Sequence, residues 1–220
     1  MTAVLFGSIS TLIDTSEMQR EAFNRAFAVH GLDWSWDHDD YVGLLESSGG
    51  RDRVATYAEE RGEDVDAAAV HETKTRLFQE ALAQNGAVAR PGVAETIGAA
   101  RAQGHPVGFV TTTSPGNVAA VLSAVGLQRD DLDLVLDGSA VSPSKPDPAA
   151  YQIALKSLGV AAKDAIAIED NLGGLASARA AGVACVAFPN ENTAGHAFEG
   201  AVATVDRIDL DRLTELIATR

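Results

Sequence analysis

The chain has 220 residues, of which 46% are hydrophobic and 22% charged, and its formal net charge is −14 at pH 7. A chain of this length and composition folds around a hydrophobic core, which excludes intrinsic disorder. The acidic surface disfavours nucleic acid and anionic membranes as partners, although a locally positive site can still bind an anionic small molecule.

The single cysteine, Cys185, lies in the apolar run VACVAF and is expected to be a small buried hydrophobic residue rather than a nucleophile. One cysteine cannot form a disulfide within the chain. The sequence has neither a signal-peptide pattern nor an apolar run of membrane-spanning length. We therefore expect a soluble, cytoplasmic protein, with the oligomeric state open and a monomer as the simplest expectation.

Five short apolar or β-branched runs alternate with longer, alanine-rich segments of helical period. Such runs are typical of buried parallel strands. They occupy residues 3–6, 107–113, 132–137, 165–170 and 183–188. The helices predicted beside them are residues 92–103, 116–125, 148–158 and 172–181. This alternation predicts an α/β fold with a Rossmann-like, doubly wound parallel sheet.

The segment after the first strand has a different pattern, because it contains helical periods and no convincing strand. The helices predicted in it are residues 16–29, 37–46, 51–60 and 67–84. We therefore predict that an α-helical cap, residues 15–89, is inserted into an α/β core formed by residues 1–14 and 90–220.

Polar residues follow three of the predicted core segments, and the carboxyl ends of parallel strands meet at one rim of a sheet. Thr111 and Thr112 end the second strand, Lys145 lies in the SKPDP segment, and Glu169 and Asp170 end the fourth strand. Taken singly, these residues are typical of strand ends, helix caps and a solvated charge. Together they offer donors for a phosphate and hard oxygen ligands for Mg²⁺, so we predict a phosphate site with a metal position.

Three segments resemble motifs of the haloacid dehalogenase superfamily of hydrolases, in the same order along the chain: VGFVTTTS, SKPDPAAY and IAIEDNLGGLASARAAG. The resemblance covers essentially the whole chain and implies a phosphatase that acts on a phosphorylated small molecule. It also implies that Thr111, Thr112 and Lys145 contact the phosphate. Asp170 and Glu169 are the Mg²⁺ ligands that it implies.

The cap resembles that of the CbbY-type sugar-bisphosphate phosphatases, in a group that includes phosphoglycolate phosphatases and β-phosphoglucomutases. The matching segments are SEMQREAFNRAF, GLDWSWDHDDY and SSGGRDRV. The resemblance implies that a loop with Gly49, Gly50 and Arg51 reaches down to the substrate and that Gln19 faces it. The alternative for Arg51 and Arg53 is an ordinary charged helix start.

The first motif of the superfamily, Phe-Asp-x-Asp-Gly-Thr-Leu, reads FGSISTL in this chain. Gly7 stands at the position of the nucleophilic aspartate and Ile9 at that of the acid–base aspartate. Glycine cannot attack phosphorus and isoleucine cannot move a proton. Because the first aspartate is also a metal ligand in the family, its loss weakens the predicted Mg²⁺ site. The acidic residue usual in the third motif is likewise absent, since residues 140–141 are Ala-Val.

Two functions of different classes remain open. The first is a phosphatase of atypical mechanism, which the remaining phosphate motifs and the cap favour. The second is a non-catalytic binding protein, a pseudophosphatase, for a phosphorylated metabolite or a protein partner, which Gly7 and Ile9 favour. Ser8 and Ser10 are hydroxyls in the same loop, but a serine nucleophile needs a base, and the sequence indicates none nearby.

Overall fold

Six strands and ten α-helices form within residues 1–45 and 49–218, which the computed structural model describes. The strands are β1 (Ala3–Phe6), β2 (Val107–Val110), β3 (Leu134–Leu136), β4 (Ala165–Glu169), β5 (Ala184–Ala187) and β6 (Ala203–Thr204). The helices are α1 (Ile9–Leu12), α2 (Ser16–Val29), α3 (His38–Leu44), α4 (Gly50–Arg61), α5 (Ala67–Asn85), α6 (Val93–Ala102), α7 (Pro115–Ala124), α8 (Ala149–Leu158), α9 (Leu172–Ala180) and α10 (Leu210–Ala218). None of the helices described is both long and apolar enough to cross a membrane.

The strands form one parallel sheet in the order β3-β2-β1-β4-β5-β6. The predicted doubly wound parallel sheet is confirmed. Strand β1 is central, and Phe6 is in register with Phe109 of β2 and with Ile168 of β4. The residues that follow these three positions therefore meet at the carboxyl edge, where doubly wound sheets bind their ligands.

Alternate residues of the central strands cover opposite faces of the sheet, as the period of two requires. Phe6 belongs to a hydrophobic cluster with residues of α6, α7, α10 and the inserted helices. Leu5 and Ala167 belong to a second cluster, with residues of α8 and α9. The same alternation puts Gly7 and Glu169 on the α8/α9 face, and this placement decides the direction of the Glu169 side chain.

Helices α2 to α5 lie between β1 and β2 in the chain, and α2 packs against α5. Their interior is aromatic, with Trp34 and Trp36 in edge-to-face contact with Phe27. The two connecting segments run side by side, because Ile13 and Ala89 form an antiparallel bridge. The division of the chain into a core and a cap at these segments stays a prediction.

Some elements differ in extent from their predictions. Strand β2 ends at Val110, so residues 111–113 form a loop in which the N–H of Thr113 donates to the hydroxyl of Thr111. Strand β6 and helix α10 have no counterpart among the predicted elements; β6 has two residues, which is too short to give an alternating pattern.

Residues 46–48 lie outside the described part of the chain. They include the last residue of the predicted helix 37–46 and the two serines of the SSGGRDRV segment. Cys185 is buried and free, as expected of a small hydrophobic residue, and burial raises the pKa of its thiol.

Candidate phosphate-binding pocket

A cavity of about 430 Å³ lies between the carboxyl edge of the sheet and the inserted helices. Its volume is within the range of small-molecule binding sites, about 300–1,000 Å³. All of the predicted site residues except Glu169 line it: Gly7, Ile9, Gln19, Gly49, Gly50, Arg51, Thr111, Thr112, Lys145 and Asp170. The fold therefore brings the predicted site residues of the sheet edge and those of the inserted helices to one cavity.

Gly7 and Ile9 form part of the floor of this pocket. The N–H of Gly7 donates to Ile168 O at 2.9 Å, so residue 7 continues the pairing of β1 with β4. Ile9 opens the short helix α1, is 7% exposed and belongs to the larger hydrophobic cluster. The two positions that the superfamily fills with aspartate therefore present a main-chain surface and an apolar side chain.

The Glu169 carboxylate fills the space that a side chain at position 7 would occupy. A Cβ atom at Gly7 would overlap Glu169 Oε1 and lie 2.5 Å from the Tyr151 hydroxyl, and a Cβ atom at Gly174 would overlap Oε2. Oε1 accepts hydrogen bonds from Tyr151 and Lys145, both at 2.6 Å. Burial raises the pKa of Glu169.

The expected pairing of Glu169 with Asp170 in the pocket is not formed, because the position of Glu169 in β4 turns its side chain toward α8 and α9.

Lys145 reaches the floor, but each of its N–H donors has a protein acceptor. Its Nζ lies 2.6 Å from Gly7 O, 2.8 Å from Val110 O and 2.6 Å from Glu169 Oε1. An ammonium group has three donors, so a phosphate has to displace one of these acceptors to receive a hydrogen bond. In this arrangement the positive charge of Lys145 is paired with the carboxylate of Glu169.

Asp170 lines the pocket, and neutral side chains hold its carboxylate. Oδ1 accepts from Ser8 Oγ at 2.5 Å and from Asn171 Nδ2 at 2.9 Å, and Oδ2 accepts from Asn190 Nδ2 at 2.8 Å. The sequence indicates no base near Ser8, and the structure corrects this, since β1 and β4 are neighbours and bring Asp170 beside the serine. Asn190 follows β5, and its position after a strand is the signal that could have marked it.

The threonines after β2 form another side of the floor. Thr111 is buried, and its hydroxyl oxygen accepts from the N–H of Thr113 at 3.2 Å. Because this bond uses the oxygen as an acceptor, the hydroxyl proton can be donated to a ligand. Thr112 is half-buried and lines the same cavity.

The glycine-rich loop at the start of α4 forms the opposite wall. Gly49 has φ of +96°, a conformation that favours glycine. A Cβ atom at Gly50 would lie 2.8 Å from His71 Nε2, so this glycine allows the loop to approach α5 closely. Arg51 is exposed and donates through Nε to Asp52 Oδ1 at 3.3 Å. Exposed pairs of this kind contribute little free energy, so the Arg51 guanidinium can reorient toward a ligand.

Lys74 and His71 of α5 complete this wall, although neither stands out in the sequence. Lys74 is 3% exposed, donates to Gln19 Oε1 at 2.9 Å and lies over the rings of Phe23 and Phe78. The predicted residue Gln19 therefore positions the lysine as well as lining the pocket. The spacing of three between His71 and Lys74 puts both on one helix face and is the available sequence signal.

Burial lowers the pKa of two basic side chains of this wall, Lys74 and His71. It lowers the pKa of Lys74 to about 7, and repulsion from Arg53 is the second cause. Burial also lowers the pKa of His71 to about 4, so its imidazole is neutral at pH 7. Arg53 is buried as well and donates to Leu44 O at 2.8 Å. An anionic ligand favours the charged form of Lys74, because it supplies a nearby opposite charge.

Replacing Lys74 with methionine is expected to stabilise the protein more at pH 6 than at pH 9. The unfolded chain keeps the lysine proton to about pH 10, whereas the folded protein loses it near pH 7. The stability of the wild type therefore rises between these values and is lowest below pH 7, where the charge is buried. We expect Lys74→Met to raise the unfolding free energy at pH 6 by on the order of 2–4 kcal/mol, measured by urea denaturation.

The control for this variant is Lys156→Met, since Lys156 is exposed on α8. Its effect is expected to stay within about 0.5 kcal/mol at both pH values. A stabilisation by Lys74→Met that is the same at pH 6 and pH 9 contradicts a buried lysine of lowered pKa.

The described residues do not fit the Mg²⁺ site that the resemblance implies. Among them, no group of three or more His, Cys, Asp or Glu side chains is arranged to hold a metal ion. Glu169 Oε2 is buried without a hydrogen-bond partner in the described structure, but it faces Gly174 rather than the pocket. Asp170 lines the cavity, yet both of its oxygens already accept hydrogen bonds. No chemical step through a metal follows from this donor set.

Comparisons with known proteins identify the scaffold. A family model described as haloacid dehalogenase-like hydrolase matches residues 1–182. Protein CbbY of Rhodobacter capsulatus is 39% identical over 206 residues, which cover 91% of each chain. Crystal structures of CbbY from Rhodobacter sphaeroides, in complex with phosphate and with xylulose-(1,5)bisphosphate, match with TM-scores of 0.88 at 35% and 34% identity, over 94% of this chain and 95% of theirs. The chain therefore belongs to the haloacid dehalogenase-like hydrolase family and has its phosphatase-like scaffold.

Proposed function

We propose that the protein binds a phosphorylated small molecule, of the sugar-phosphate class, and does not carry out the two-aspartate phosphatase reaction of its family. The proposal rests on the residues that form the floor of the pocket. Gly7 and Ile9 replace both reactive carboxylates, and Glu169 fills the space beside Gly7. Without the nucleophile and the acid–base group, the reaction loses several kcal/mol of barrier lowering at each position.

The charges of the pocket support an anionic ligand. Arg51, Arg53 and Lys74 lie on the wall formed by the inserted helices, and Lys145 lies at the floor. The rest of the protein is strongly acidic, with a formal net charge of −14. Basic groups gathered in a concave site attract an anion even within an acidic envelope, because the low-dielectric walls focus their field.

The hydroxyl groups at the floor and the basic side chains of the opposite wall fit a ligand with two anionic ends. CbbY from Rhodobacter sphaeroides is described in complexes with phosphate and with xylulose-(1,5)bisphosphate. A sugar bisphosphate in this chain would place one phosphate against the hydroxyls of Thr111 and Thr112 and the other near Arg51. Phosphatases of this family generally use Mg²⁺, but the described residues of this pocket include no group of three or more side chains suited to a metal ion, so the proposed binding does not depend on Mg²⁺.

A phosphatase with a serine nucleophile is the second candidate, and one observation favours it. Ser8 Oγ lies 2.5 Å from Asp170 Oδ1, within the reach of a general base. In that reaction Oγ of Ser8 bonds to phosphorus as its proton passes to Asp170 and the bond to the leaving alkoxide breaks. The alkoxide takes a proton from water, and the hydroxide that remains takes the proton back from Asp170. A second water then hydrolyses the phosphoserine. This candidate is the weaker one, because both oxygens of Asp170 already accept hydrogen bonds from neutral donors.

One experiment decides between the two functions. The purified protein is incubated with a panel of sugar phosphates and bisphosphates, and both phosphate release and thermal stabilisation are measured. We expect a ligand-dependent rise in Tm without phosphate release. Arg51→Ala should weaken binding by about tenfold, whereas Arg76→Ala, on an exposed pair with Glu80 away from the pocket, should not.

The contrary outcomes are equally specific. Phosphate release that disappears in Ser8→Ala supports the serine phosphatase and overturns the binding proposal. The matched control is Ser139→Ala, because Ser139 also donates to an aspartate at 2.5 Å but does not line the pocket. Absence of binding across the panel overturns the proposal as well.

A further inference from the structure

We infer that the pocket takes up its anionic ligand without a divalent metal, because internal partners have replaced the metal at both acidic residues. This inference rests on the proposed binding function and extends it. It concerns Glu169 and Asp170, the two residues that the family resemblance assigns to Mg²⁺, and each of them is committed to other groups in this chain.

The first replacement is the ammonium group of Lys145 at Glu169. Both side chains are buried, with exposures of 7% and 0%, and Nζ lies 2.6 Å from Oε1. The Tyr151 hydroxyl donates to the same oxygen at 2.6 Å. A cation that approached Oε1 would meet the positive charge of Lys145 and would have to displace two short hydrogen bonds. The second oxygen is turned toward Gly174 of α9, which does not line the cavity.

The glycine at position 7 makes this arrangement possible. Any Cβ atom there would overlap Glu169 Oε1, so the carboxylate can take this place only when residue 7 has no side chain. The main-chain carbonyl of Gly7 is also occupied, since it accepts from Lys145 at 2.6 Å. The ion pair between Glu169 and Lys145 therefore depends on the absence of a side chain at position 7.

The second replacement is a set of neutral donors at Asp170. Ser8, Asn171 and Asn190 donate to its two oxygens at 2.5–2.9 Å. These donors occupy both oxygens, so the carboxylate has hydrogen-bond partners without a cation. Mg²⁺ at this residue would have to displace at least one of these donors, with no second carboxylate to compensate for the loss.

The consequence is a floor in which the positive charge of Lys145 is already paired with Glu169. The donors to Asp170 are neutral groups, which offset no charge. The attraction for an anionic ligand then comes from Arg51, Arg53 and Lys74 on the opposite wall. Affinity should therefore depend on these cations and on ionic strength, and not on Mg²⁺.

The test compares binding with and without metal on the 220-residue chain. Calorimetry is carried out with xylulose-(1,5)bisphosphate and with inorganic phosphate as probes, in EDTA and in excess Mg²⁺. We expect Kd values that agree within about twofold, and a Kd that weakens by about tenfold or more in Arg51→Ala in both buffers. Tightening of tenfold or more by Mg²⁺ overturns the inference.

A metal titration without ligand keeps the result independent of the proposed function. Mn²⁺ is added alone and followed by electron paramagnetic resonance, with Asp170→Asn as the comparison variant. We expect no stoichiometric site at millimolar or lower Mn²⁺. If neither probe binds in either buffer, the binding function fails, and this titration still decides about the metal. One Mn²⁺ per chain that is lost in Asp170→Asn overturns the inference.

Discussion

Lys145→Met is expected to lower the unfolding free energy by about 3–5 kcal/mol. The substitution removes the counter-ion of a fully buried carboxylate, with 2.6 Å between the two charged atoms in the wild type. Glu169 keeps the hydroxyl of Tyr151 as a donor, but one neutral donor does not compensate for the desolvation of a carboxylate. The loss is measured by urea denaturation at pH 7, with the midpoint and slope fitted separately.

A double variant separates the ion pair from the packing of its side chains. Lys145→Met/Glu169→Gln removes both charges and should recover more than half of the loss, because no buried charge is left unpaired. Lys163→Met, at an exposed position, serves as the control and should change stability by less than about 0.5 kcal/mol. Equal losses in the single and double variants contradict a role for the charge of Glu169.

The polar residues at the carboxyl edge of the sheet could be predicted, because their position depends only on strand order and on where the strands end. Runs of apolar residues mark β1, β2 and β4, and polar residues follow each run. Parallel pairing of neighbouring strands is then sufficient to bring Thr111 and Asp170 beside position 7. The glycine-rich loop with Gly49 and Arg51 reaches the same cavity, where the resemblance implies it.

The separation of Glu169 from Asp170 could not be predicted with the same certainty. The predicted strand runs to residue 170, whereas β4 ends at Glu169. Alternation puts residues 169 and 170 on opposite faces of the sheet with either boundary, and Asp170 turns into the pocket because the strand ends before it. The sequence does not show which face α8 and α9 cover, so it does not show that Glu169 is the residue enclosed by Tyr151, Lys145 and Gly174.

Lys74 illustrates a second limit of the sequence. Its helix was recognisable from periodicity, but the lysine becomes buried only because α5 packs against α2, where Gln19 and Phe23 meet it. A lysine within a helix is usually solvated. Its lowered pKa is thus a product of tertiary packing, which local patterns do not encode.

Gly7 and Glu169 connect the chemistry of the pocket with its packing. In parallel strands, residues in register point to the same face, and the pairing of Phe6 with Ile168 makes position 7 the neighbour of position 169. The glycine is therefore more than a missing nucleophile, since its lack of a side chain gives the Glu169 carboxylate room to reach Lys145.

Gly7→Ala is expected to destabilise the protein by about 1–3 kcal/mol, as overpacking of a buried site does. The added methyl group overlaps Glu169 Oε1 and lies 2.5 Å from the Tyr151 hydroxyl. Gly98→Ala is the matched control, because the same methyl group at this exposed position of α6 meets nothing within 4 Å. It should be neutral or stabilise the helix by up to about 1 kcal/mol. Thermal and urea unfolding measure both variants.

Gly7→Asp/Ile9→Asp is expected to release no phosphate from sugar phosphates, although it restores both aspartates of the first motif. The new carboxylate at position 7 competes with Glu169 for Lys145 in a buried space that already holds one negative charge. Adding Glu169→Ala empties that space, so the triple variant should recover part of the stability that Gly7→Asp costs. Phosphate release by the double variant, at wild-type stability, contradicts this account, because it requires that Glu169 moves aside readily and that the pocket retains a working family site.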